Sequence, residues 1–216
     1  MSEAECFNEI SVFLQKGKAK DTVAAVQKAL ACGIGARDIL EKALIAGMNS
    51  IGNKFKNGEV FVPEVLVAAR AMNKASETLK PALIKAGVEP LGRAIICTVR
   101  GDQHDIGKNL VKMMLEGNGI EVIDLGVDCG EEKILDAVKT SGAKVVCLSA
   151  LLTTTMPAQK DIIESLKSAG LRDSVKVMVG GAPVTQSYAD EIGADAYTAD
   201  AASAAEVCRS FYERNA

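Results

Sequence analysis

Five short apolar runs divide the second half of this chain: "RAIICTV" (93–99), "EVIDLG" (121–126), "AKVVCLSA" (143–150), "VKVMVGG" (175–181) and "DAYTA" (195–199). They are continuous rather than alternating, which is the pattern of parallel strands covered on both faces. Helical stretches follow them, beginning near Ile106, Glu131, Pro157, Thr185 and Ala201. Five β-α units in a row predict a doubly wound, five-stranded parallel sheet.

The first half has a different texture. "KDTVAAVQKALACG" places Val23, Val26 and Leu30 on one helical face and stops at Gly33. "ARDILEKALIAGMNSIGNKFKNG" spaces Ile39, Leu40, Ala43, Leu44, Met48, Ile51 and Phe55 before Gly58. "VPEVLVAARAMNKASETLKPALIKAG" starts with Pro63 near its first turn and carries Val65, Leu66, Ala69, Met72 and Leu79 at helical spacing. With a shorter helix over residues 3–15, these make a four-helix bundle with short loops. "AGVEPLG" (86–92) ends the helical pattern, so the expected domains are 1–88, helical, and 89–216, α/β.

With 48% apolar residues in 216, the chain can bury a sizeable core. Lys plus Arg number 25 and Asp plus Glu 28, a net charge of −3, so no basic footprint for nucleic acid is present. No apolar run is long enough for a bilayer, and "MSEAECFNEI" lacks the basic start and apolar stretch of a leader, so a cytoplasmic location is expected. The six cysteines form no C-x-x-C pair, and several lie within apolar runs. They read as buried free thiols.

In doubly wound sheets, ligands bind outside the carboxyl ends of the strands where strand order reverses. For the common order 2-1-3-4-5, that crevice lies between the loops after strands one and three. The first of these loops is "RGDQHDIG", which holds the only histidine in the chain, His104; the second, "SALLTTTMP", holds Ser149, Thr153, Thr154 and Thr155. Neither a P-loop nor a dinucleotide fingerprint follows a strand. A lone histidine cannot build a zinc site. It is sufficient for a metal already chelated by a macrocycle, which needs one axial donor from the protein.

Asp102-x-His104-x-x-Gly107, then Ser149-x-Leu151 after strand three, then Gly180-Gly181 after strand four, resembles the three-part signature of vitamin B12-binding domains. From about residue 5 to 214 the chain is similar to the corrinoid proteins of three-component methyltransferase systems and to the B12-binding region of methionine synthase. The resemblance implies a Rossmann- or flavodoxin-like B12-binding domain behind the bundle. It implies a cobalamin or related cobamide bound with its own base displaced and His104 on cobalt. Asp102 is then the partner of the distal ring nitrogen, and Thr155 ends the relay, with Thr153 or Thr154 as substitutes. Gly107, Gly180 and Gly181 are expected along the buried nucleotide tail, with Ser149 against the benzimidazole, Thr153 as a further tail contact and Leu151 among the cofactor-binding residues. Asp105 is expected to face solvent. "GEVFVPEVL" resembles the family's capping segment and offers Phe61, together with Val62 and Leu66, as apolar cover for the upper corrin face.

The resemblance implies a methyl carrier rather than an enzyme in its own right. Its partners would be a substrate-specific methyltransferase, a second methyltransferase acting on an acceptor such as tetrahydrofolate or a thiol, and a reductive activation protein. Two other readings share the motif. One is the B12 subunit of an adenosylcobalamin mutase, which the N-terminal bundle disfavours. The other is a B12-based sensor, disfavoured because the chain has no tryptophan and no added signalling module.

Overall fold

The computed structural model describes residues 2–213. Met1 and residues 214–216, the outermost positions of the two expected domains, lie outside the described residues. The chain divides into two compact units, Met1–Pro90 with Glu116–Gly119, and Leu91–Leu115 with Ile120–Ala216.

The first unit opens with α1 (Glu3–Gln15), capped reciprocally: Glu5 N–H donates to the Ser2 hydroxyl and Ser2 N–H to the Glu5 carboxylate. Helix α2 (Ala19–Ala31) follows. The expected single helix over 36–58 is a composite: α3 (Ala36–Asp38), a π-helical stretch Ile39–Ile45, then α4 (Ala46–Lys56). Ala43, Leu44 and Ile45 are all buried. Three consecutive residues fan widely around an α-helix, and the wider i→i+5 turn draws them toward one side. Helix α5 (Val62–Lys85) starts with Pro63 in its first turn and runs on through Pro81. It packs against α2, and α1 packs against α2 and α4. Ile10, Leu14, Val26, Ile39, Leu44, Met48, Ile51, Met72 and Leu79 fill the core of the unit. Each such side chain contributes roughly 1.5–3 kcal/mol relative to exposure.

The second unit holds strands β1 (Gly92–Thr98), β2 (Ile120–Asp124), β3 (Val145–Ser149), β4 (Lys176–Gly180) and β5 (Ala196–Tyr197), all parallel, in the order β2-β1-β3-β4-β5. Between and after them run α6 (Ile106–Gly117), α7 (Glu131–Ser141), α8 (Pro157–Ser168), α9 (Gln186–Ile192) and α10 (Ala201–Glu213). One face of the sheet, with Ile95, Cys97, Val146, Leu148, Val177 and Val179, is packed by Ile134 and Val138 of α7, Ile162 and Ile163 of α8, and Ile192 of α9. Side chains alternate along a strand, so Ile96, Thr98, Cys147, Ser149, Met178 and Gly180 belong to the other face. Register brings Thr98 beside Ser149 and Ser149 beside Gly180. A row of small side chains therefore closes the carboxyl end of that face. The six cysteines are free; all are buried except Cys32, which is exposed. No described helix is long and apolar enough to cross a membrane.

Candidate functional site

The loop between β1 and α6 is folded around one carboxylate. Asp102 N–H donates to the Val99 carbonyl at 3.2 Å, which turns the chain back over the strand end. Asp102 is 0% exposed and accepts four hydrogen bonds. Oδ1 takes His104 N–H at 3.0 Å and stands 2.7 Å from His104 Nδ1. Oδ2 takes Leu151 N–H and the Thr155 hydroxyl, each at 2.7 Å. Burial alone would raise its pKa, but the His104 and Leu151 N–H groups, the Thr155 hydroxyl and the His104 ring outweigh burial and hold the carboxyl well below the ordinary carboxylate range. Asp102 is therefore ionised, and the proton in the short contact belongs to His104 Nδ1.

That assignment fixes the tautomer. In the neutral ring Nδ1 then donates and Nε2 carries the lone pair. The His104 side chain is 51% exposed, and Nε2 has no partner among the described residues. From below, the buried Thr98 hydroxyl donates to the His104 carbonyl at 2.9 Å. The imidazole is thus held through its backbone and through Nδ1. No cluster of three or more His, Cys, Asp or Glu among the described residues could hold a metal ion. What this loop offers a metal is one donor, which suits a metal whose other positions a macrocycle fills.

The loop after β3 supplies the rest of the relay. Thr155 N–H donates to the Leu152 carbonyl at 3.0 Å, and this turn aims its hydroxyl at Asp102. Of the three threonines, Thr155 alone is buried and bonded to the carboxylate; Thr153 and Thr154 are exposed. Leu151 reaches Asp102 through its backbone, while its side chain is exposed, as are those of Leu152 and Ile106. Ser149 is half-buried at the strand end. Asp105 is exposed and accepts from Asn109 Nδ2 at 2.9 Å.

The glycines separate into two kinds. A Cβ on Gly107 would meet nothing within 4 Å, whereas one on Gly181 would lie 1.8 Å from the Ala150 carbonyl oxygen, at a φ of +129°. Gly181 is demanded by the backbone itself; Gly107 borders open space. Thr98, Ser149 and Gly180 put no bulky side chain at that strand end, and open space borders Gly107 on α6. Phe61 belongs to the first unit, where it is 67% exposed, and Leu66 is exposed with it.

Three supporting groups are absent from the sequence reading. Asp128, in the loop after β2, accepts Gly101 N–H at 2.7 Å and donates its own N–H to the Asp102 carbonyl at 3.0 Å. Lys108 is buried with its ammonium on Asp124 Oδ1 and Oδ2 and Asn109 Oδ1, at 2.7–2.8 Å, tying the first turn of α6 to the end of β2. Gln159 of α8, 0% exposed, donates to the Leu148 and Gly180 carbonyls, bridging β3 and β4, and its Oε1 is without a partner. A local signal existed only for Asp128, where "GVDCG" puts a turn-forming aspartate between glycines.

Known proteins give this geometry a context. B12 binding domain profiles match residues 92–208 and residues 7–80. The chain is 43% identical over 212 residues to monomethylamine corrinoid protein 2 of Methanosarcina mazei, covering 96% of this chain and 97% of that one. It is 43% identical over 205 residues to dimethylamine corrinoid protein 1 of Methanosarcina acetivorans, covering 94% and 96%. Among solved structures it is similar to the methanol:cobalamin methyltransferase complex of Methanosarcina barkeri, at 29% identity and a TM-score of 0.85, over 98% of this chain and 81% of that one.

Proposed function

The chain belongs to the B12-binding corrinoid protein family, and from that premise we propose that it is the methyl carrier of a methyltransferase system, taking its methyl group from a methylated amine. The observation that carries the reading is the His104 ring held at Nδ1 by buried Asp102, with half of its side chain exposed and Nε2 without a partner among the described residues. A bound cobamide supplies the chemistry, since its reduced cobalt is the nucleophile toward an activated methyl group.

The chain's own residues do the remainder. His104 would hold the cobalt through Nε2 in place of the cofactor's own base. Asp102 keeps the ring in one tautomer and orientation, and Thr155 holds the far end of the hydrogen-bonded relay. Gly107, Ser149, Thr153, Gly180 and Gly181 would border the displaced tail, with Leu151 beside them in the motif. Phe61 is an exposed apolar side chain available to cover the upper face, excluding water and oxygen. The chain acts with enzymes rather than as one. A substrate-specific methyltransferase loads it, a second methyltransferase unloads it to an acceptor such as tetrahydrofolate or a thiol, and a reductive activation protein restores it, all in the cytoplasm. The amine donor class follows from relatives named for monomethylamine and dimethylamine.

Two measurements test this. Reduced holoprotein mixed with methylamine methyltransferases should change its cobamide absorption on addition of a cognate methylated amine and not of methanol; no response to any methylamine overturns the donor class. Cobalt(II) EPR of protein loaded with a phenolyl cobamide, whose tail has no nitrogen donor, should still show one axial nitrogen. His104→Ala should lose that nitrogen and retain the cofactor, because the tail makes contacts of its own. A nitrogen signal that survives in His104→Ala overturns the ligand assignment.

A further inference from the structure

Asp128 is the only described residue other than glycine with a positive φ, 52°. Aspartate tolerates this region better than most residues, but the conformation still carries a cost. It is used to grip the ligand loop at two points. Gly101 N–H donates to Asp128 Oδ1 at 2.7 Å, and Asp128 N–H donates to the Asp102 carbonyl at 3.0 Å. These bonds fall at the two ends of the Gly101–Asp102 segment, two residues before His104. The gripping loop is itself anchored to β1, by Thr98 N–H on the Gly126 carbonyl at 2.9 Å and Cys129 N–H on the Thr98 carbonyl at 3.0 Å.

Asp128 is exposed, so water could satisfy both its carboxylate and the Gly101 amide if the bond were absent. Burial does not demand the contact. We infer that Asp128 is a positioning residue for His104: by fixing the Gly101–Asp102 segment against the anchored β2–α7 loop, it sets where the Asp102 carboxylate stands and so where the imidazole Nε2 points. The inference rests on His104 being the cobalt ligand. An axial donor that must meet the metal along one direction depends on such support, because side-chain placement has to hold to within about half an ångström.

The decisive variant is Asp128→Gly, which suits the left-handed backbone and so preserves the loop's conformation while removing the acceptor. Asp128→Asn keeps both the acceptor oxygen and a tolerance for positive φ. Each holoprotein carries a phenolyl cobamide in the cobalt(II) state, and the readout is the fraction of the EPR signal with nitrogen splitting. Asp128→Gly should lose at least half of the split fraction, with Asp128→Asn restoring it to the unsubstituted level. Equal splitting in Asp128→Gly and the unsubstituted protein overturns the positioning role, and so does failure of Asp128→Asn to restore it. No splitting in the unsubstituted protein overturns the ligand assignment, and the inference falls with it. In the apoprotein, Asp128→Gly should exchange the Gly101 amide proton at least tenfold faster; unchanged exchange shows the Oδ1 bond is not made and also overturns the role.

Discussion

Asparagine is the closest replacement for Asp102 in shape, and hydrogen bonding argues that it fits poorly. The carboxylate accepts two donors on each oxygen, whereas an amide has one accepting oxygen and one NH2. Either orientation turns the NH2 toward N–H or O–H donors in a fully buried place. Asp102→Asn should therefore cost about 2–4 kcal/mol of stability at pH 7. The pH dependence has a definite sign. The folded-state pKa of Asp102 lies below its unfolded value of about 3.9, so the carboxylate's contribution is complete above that value and is lost as pH falls through the folded-state one. The stability gap between the two proteins should accordingly narrow from pH 5 toward pH 2 in urea titrations. A gap of constant size would mean the Asp102 carboxyl is not held below its ordinary range.

At the scale of elements, the start of α6 and the end of β4 use glycine for opposite reasons, and alanine separates them. Gly107→Ala adds a methyl into open space on a helix. Apoprotein stability should be unchanged or up by as much as about 1 kcal/mol, while cobamide affinity falls, since the methyl enters the space proposed for the tail. Gly181→Ala drives a methyl into the Ala150 carbonyl at a backbone angle alanine avoids, and should cost about 3 kcal/mol before any cofactor is added. Thermal unfolding of the apoproteins with spectral titration of cobamide distinguishes the two. Weakened folding in Gly107→Ala, or wild-type folding in Gly181→Ala, would reverse the assignments. The π-helical stretch Ile39–Ile45 belongs to this scale too. Its residue pattern reads as ordinary helix, and the turn is widened where Ala43, Leu44 and Ile45 are buried together.

For the whole molecule, the ligand loop, the β3 loop and the small-residue row all lie in the second unit, and Phe61 lies in the first. A fragment of residues 89–216 should therefore bind cobamide. Its reduced cobalt should oxidise in air several-fold faster than in the full chain, as expected if the helical unit limits access to the upper face. Stopped-flow absorbance after mixing with aerated buffer measures this. Equal rates would remove the covering role from Phe61 and the bundle, and a fragment that bound no cobamide would show that the second unit is insufficient.

The sequence alone specified the architecture, because continuous apolar runs alternating with helical spacing admit little besides a doubly wound sheet, and strand order then follows a common form that the structure adopts. It also singled out His104 and Asp102, since both lie within a few residues of one strand end and their bond is local. Among the three threonines it could not choose with force: Thr153, Thr154 and Thr155 carry the same hydroxyl, and only the turn closed on Leu152 buries Thr155 against Asp102. Asp128, Lys108 and Gln159 were decided by tertiary structure. Asp128 grips a loop 26 and 27 residues back in the chain, Lys108 finds Asp124 across a helix–strand packing, and Gln159 spans two strand ends. Periodicity and local spacing report which face a residue occupies within its own element; which distant donor meets which acceptor is fixed only when the elements pack.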